Sequence, residues 1–118
     1  LKLSYSSDHG KSFNSVKDIH GKILDANHPD MVVIGKEAWV IFQGRDPNQS
    51  GGWGREKAWL VRVKGDANAS DPSPLPSNGG SVAYPYLVKG NGGRVYATWT
   101  EIGEEGPKVM LCRGRINS

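Results

Sequence analysis

The chain has 118 residues, 36% of them hydrophobic, enough for one domain with a modest core. Its net charge of +3 is spread over lysines and arginines interleaved with acids, so no basic stripe for nucleic acid is present. One cysteine, Cys112, excludes an internal disulfide and has no metal-ligand neighbours, and no apolar run approaches the roughly 20 residues that a membrane helix needs. No basic start followed by a long apolar stretch marks a signal peptide. The chain opens in a strand-like pattern at Leu1, so any targeting information is expected elsewhere.

Leu1 to Ser6 alternates apolar and polar residues, as a half-buried strand does. Ser6-Ser7-Asp8-His9-Gly10-Lys11-Ser12-Phe13 follows and reads as a tight turn. Asp8 is placed to accept from the backbone amides after it, and Gly10 takes the positive φ of a chain reversal. Phe13 is expected to fold back as an apolar plug under the hairpin. Ser15 to Ile19 fits a short edge strand, and His20 to Asn27 a polar connection. Met31-Val32-Val33-Ile34 is a continuous apolar run, the pattern of a strand buried on both faces. Gly35-Lys36 turns the chain into a strand from Glu37 to Phe42. Gln43 to Glu56 is a long loop with three glycines around Trp53, and Lys57 to Val63 is the next strand. Asp66 to Gly80 is a loop with at most a short edge strand inside it.

The pattern then starts again. Tyr84-Pro85-Tyr86-Leu87-Val88 repeats His28-Pro29-Asp30-Met31-Val32, a period of 56 residues from Pro29 to Pro85. Gly90 to Gly93 is a hairpin turn. Arg94 to Thr100 repeats the earlier aromatic strand, with Tyr96 over Trp39 and Trp99 over Phe42, and Lys108 to Arg113 repeats Trp59 to Arg62. No amphipathic helix is predicted, and the fold class is all-β.

Ser6-x-Asp8-x-Gly10-x-x-Phe13, set in this repeat, resembles the Asp-box of the sialidase-like (BNR repeat) β-propellers. The other reading of the eight residues is an ordinary Asx-turn between two strands. The resemblance implies antiparallel four-stranded blades, about two and a half of them. Residues 1–20 would end one blade, 28–80 form a second, and 81–118 form a third, incomplete one. The equivalent places at Val63 to Asp66 and Arg113 to Arg115 carry no such box. A closed propeller needs roughly 4 to 8 blades, so the resemblance implies a partial one completed by the rest of a parent chain or by other copies.

An up-and-down blade puts its turns alternately on two faces. One face takes Gly35-Lys36, Gly90 to Gly93 and the Asp-box; the other takes the long charged loops, where ligand sites sit. Arg45, Asp46, Trp53 and Arg55 stand out there, because guanidinium forks suit carboxylates and an indole face suits a sugar ring. They read equally as a solvated loop whose Trp53 packs back. His20 and His28 make no metal site without a third ligand. The resemblance further implies a tyrosine nucleophile with a glutamate partner; Tyr84, in Ala83-Tyr84-Pro85-Tyr86, and Glu101 occupy suitable places, as generic strand residues also would. It implies no cofactor and no metal, a secreted, periplasmic or cell-surface location, and glycan partners of sialoside type. The expected function is a fragment of a sialidase-like BNR-repeat protein, an exo-α-sialidase or related glycan-processing protein, inactive in isolation. The alternatives are a non-catalytic propeller module that binds glycan or protein, or a structural repeat of a surface protein.

Overall fold

A computed structural model of the chain describes residues 1–48, 55–65, 68–77 and 79–115. The described strands are β1 (Lys2–Leu3), β2 (Lys17–Asp18), β3 (Leu24–Ile34), β4 (Glu37–Arg45), β5 (Glu56–Lys64), β6 (Asn68–Ala69), β7 (Ser73–Pro74), β8 (Ser81–Lys89), β9 (Arg94–Gly103) and β10 (Gly106–Arg115). A 3-10 turn at Asn91–Gly93 joins β8 to β9. The protein is all-β, and its strand pairs are antiparallel.

Three sheets result. The first pairs β1 with β2 across the Ser6–Phe13 turn. The second has the order β3-β4-β5-β6, with β7 also on β5. The third has the order β10-β9-β8. Strand alternation gives the second sheet two apolar faces. Val40, Phe42, Trp59, Val61 and Val63 bury one face against Ile19 and Ile23, with Leu1, Leu3 and Tyr5 at its margin. Trp39, Ile41 and Ala58 bury the other against Val82, Leu87, Val95, Ala97 and Trp99 of the third sheet. The second sheet is therefore the middle layer.

The registers of the second and third sheets coincide. Val32, Trp39 and Arg62 lie side by side across the second sheet, as Val88, Tyr96 and Arg113 do across the third. The next rows on those faces are Asp30, Ile41 and Leu60, and Tyr86, Thr98 and Leu111. Both first strands also carry a register shift at their X-Pro step, between Asn27 and Asp30 and between Ala83 and Tyr86. In the second sheet the Arg62 guanidinium lies 4.9 Å from the Trp39 ring centroid. It also bonds Glu37, which holds that carboxyl below its usual range, and the Trp39 indole N–H donates to Glu37 as well.

Several expectations are corrected. The polar connection ends early, because β3 begins at Leu24. The Met31–Ile34 run is not buried on both faces: Met31 is 50% and Val33 54% exposed. β3 is an edge strand, and between it and the first sheet a shallow hollow remains that Leu3, Tyr5, Met31 and Val33 line. Phe13 is no plug. It is 65% exposed, because the first sheet is two residues wide at its strands and offers no layer beneath the hairpin. Cys112 is half-buried, packed on the margin of the second core cluster.

Candidate functional site

The Ser6–Phe13 turn is held by its own side chains. The Ser6 hydroxyl donates to Asp8 Oδ1 at 2.7 Å and accepts from the Gly10 amide at 2.8 Å. Asp8 in turn accepts from the Ser12 amide at 2.9 Å and from the Ser12 hydroxyl at 2.5 Å. His9 and Gly10 both take positive φ, 60° and 86°, which completes the reversal. The Asn14 amide then bonds the Tyr5 carbonyl at 2.8 Å and closes the hairpin. These donors, the Ser12 hydroxyl first, pull the Asp8 pKa from 3.8 down to about 2. The carboxylate is spent on the turn. The hairpin base, at Ser4 and Tyr5, shares a shallow hollow with Gly35, Lys36 and Gly65.

Among the described residues the opposite strand ends hold three of the four non-glycine residues with positive φ, Asp25, His28 and Tyr84, together with a group of charged side chains. His28 and Tyr84 occupy equivalent places in the repeat, each before a proline, and both take positive φ, 52° and 55°. A pre-proline residue ordinarily stays extended, so both are backbone outliers. Their rings meet edge to face with centroids 5.5 Å apart. Gln43 is buried behind them: its amide donates to Glu56 at 2.6 Å and its carbonyl oxygen accepts from the Tyr84 amide at 3.0 Å. Asp30 accepts from the Leu87 amide at 2.7 Å. Two backbone amides of β8 thus take side-chain acceptors from the second sheet, which pins the two layers where the X-Pro bulges interrupt the ladder. Asn27 joins the network through the Asp25 carbonyl at 2.6 Å and Glu56.

A cleft of about 390 Å³ opens at the same end, lined by Arg55, Gly79, Gly80, Glu101 and the Gly103–Lys108 hairpin. Glu101 is 5% exposed, so it is a buried acid at the cleft and not a solvated strand end. Gly80 makes room for it, since a side chain there would crowd the Glu101 Cγ at 2.7 Å. Lys108 pairs with Glu105 at 3.1 Å on the cleft rim.

The candidate residues from the sequence are therefore divided. Arg45 pairs with Asp25, and Asp46 pairs with Lys57 at 3.6 Å and accepts from the Asn48 amide at 2.9 Å. Arg55 belongs to the cleft with Glu101, whereas Tyr84 belongs to the ring pair with His28. Trp53 lies outside the described residues. Gln43, Asp30 and Glu56 went unrecognised in the sequence, although a glutamine at the end of an otherwise apolar strand is a visible signal. Among the described residues no group of three His, Cys, Asp or Glu side chains would hold a metal ion, and no helix is long and apolar enough to cross a membrane. No protein-family model matches the chain, and no curated protein matches it significantly.

Proposed function

We propose that the chain forms consecutive blades of a sialidase-like, BNR-repeat β-propeller. Its charged loop end contributes to a glycan-processing site of exo-α-sialidase type without completing one. The observation that supports this best is the shared register of the second and third sheets. It recurs with the Ser6–Phe13 turn at the end away from the charged loops.

The Arg55–Glu101 cleft is the part suited to a sugar. Carboxylates accept from ring hydroxyls and a guanidinium donates to them, which orients a hydroxyl-rich ligand. Three carboxylates, Glu101, Glu104 and Glu105, face two cations, Arg55 and Lys108, so the neutral units of a sialoside suit the cleft better than its acidic sugar. Retaining hydrolysis needs nucleophile, acid and charged clamp within about an ångström of productive geometry. Here Tyr84 packs on His28, Glu101 lines a different surface, and Arg45 is committed to Asp25. That separation favours a second reading, in which the module binds glycan and never turns it over.

Amide NMR titration with lactose and with sialyllactose tests the glycan claim, alongside a fluorogenic sialoside assay. Both sugars should shift the amides around Arg55, Glu101 and Lys108 alike, Arg55→Ala should remove the shifts at unchanged melting temperature, and no turnover should appear. Silence toward both sugars at millimolar concentration would remove the glycan claim. Turnover abolished by Tyr84→Phe would show a complete active site instead.

A further inference from the structure

Among the described residues no layer covers the outer face of the third sheet. On β9 the residues that alternate with the buried Val95, Ala97 and Trp99 include Thr98 and Thr100, and apolar side chains flank that polar stripe: Tyr86, Val88, Ile102, Val109 and Leu111 are all more than half exposed, Val109 at 83% and Leu111 at 69%. By register, Val88, Tyr96 and Leu111 stand where Val32, Trp39 and Leu60 stand in the second sheet. Those three pack against the third sheet. The exposed face thus repeats a face that, one layer earlier, is an interface. Contiguous apolar patches of this kind mark association surfaces.

Charge is distributed unevenly along it. Arg94 and Arg113 lie at one end of the strands, and Glu104 lies at the other, in the β9–β10 turn beside the Glu105–Lys108 pair. Two copies packed face to face with their strands parallel would set arginine on arginine and glutamate on glutamate. Packed with their strands antiparallel, about a two-fold axis crossing the strands, each arginine end meets the partner's glutamate end. We propose that this face pairs with the same face of a second copy in that antiparallel, two-fold arrangement.

The size sets the strength. Three strands of nine or ten residues cover about 30 by 14 Å, roughly 400 Å² per copy, below the usual size of a stable dimer. The dimer should therefore be weak and concentration-dependent, with Kd on the order of 100 μM.

Sedimentation equilibrium across micromolar to millimolar chain tests it. The chain should pass from monomer to dimer with no higher species. Leu111→Glu, at an exposed position, should weaken the dimer at least tenfold while circular dichroism and melting temperature stay unchanged. Arg113→Glu should weaken it as well, and the double variant Arg113→Glu with Glu104→Arg should recover most of the loss. A monomer throughout the range, or a dimer insensitive to Leu111→Glu, overturns the proposal. Weakening by Arg113→Glu without recovery in the double variant overturns the antiparallel arrangement.

Discussion

Replacing Phe42 by alanine should cost about 4 kcal/mol. The phenyl ring is fully buried between the first and second sheets, among Ile19, Ile23, Trp59 and Val61. Losing its transfer free energy accounts for roughly 2 kcal/mol. A residual cavity of some 80 Å³, at about 24 cal/mol per Å³, adds roughly 2 more, within the usual range for such truncations. For a domain of this size the melting temperature should fall by about 15 °C, on the basis of roughly 4 °C per kcal/mol. Phe13→Ala is the paired control. At 65% exposure it should change stability by less than about 0.5 kcal/mol. Urea unfolding followed by tryptophan fluorescence measures both. Equal losses, or a larger one for Phe13→Ala, would refute the packing described for both residues.

Gly44 should not tolerate a side chain. A methyl group there would run into the Ile23 side chain and stand 3.0 Å from the Leu24 carbonyl, so Gly44→Ala should cost roughly 2 kcal/mol in urea unfolding. The Asp8 turn predicts a pH dependence. Its carboxyl is held at about 2 against an ordinary 3.8, so its contribution is complete above the unfolded-state value and lost as pH falls from about 4 toward about 2. The melting temperature of Asp8→Asn should lie a few degrees below that of the unchanged chain at neutral pH. The two should converge across that acid window, and a gap that persisted at pH 2 would contradict the assignment.

Alternation made much of the fold legible. β9 reads apolar-in and polar-out through Val95, Ala97 and Trp99, and those residues are buried. The repeat placed Tyr96 beside Val88 as Trp39 lies beside Val32. A continuous run such as Met31–Ile34 says less, because two buried faces require two covering layers, and the sequence does not show that β3 is an edge. Phe13 departs from expectation for a related reason: a turn motif specifies its own hydrogen bonds but not what lies beneath. The loop-end network was hidden more deeply. Gln43, Glu56 and Tyr84 meet across the layers, and positive φ before a proline runs against local preference, so only the packing of the sheets enforces it. The candidate cluster of Arg45, Asp46 and Arg55 came from proximity in sequence. The strand ends separate it, since Arg45 faces Asp25 on β3 while Arg55 opens toward β9 and β10.

The shared register of the second and third sheets carries the reading of the chain as a repeat, and cross-strand backbone Overhauser contacts measure it directly. The expected contacts join Trp39 to both Val32 and Arg62, and Tyr96 to both Val88 and Arg113. Side-chain contacts should also run from Trp39 and Ile41 to Leu87 and Ala97. A slip of one residue in the third sheet would turn Tyr96 inward and Trp99 outward. Finding Tyr96 rather than Trp99 in contact with the second sheet would contradict the account.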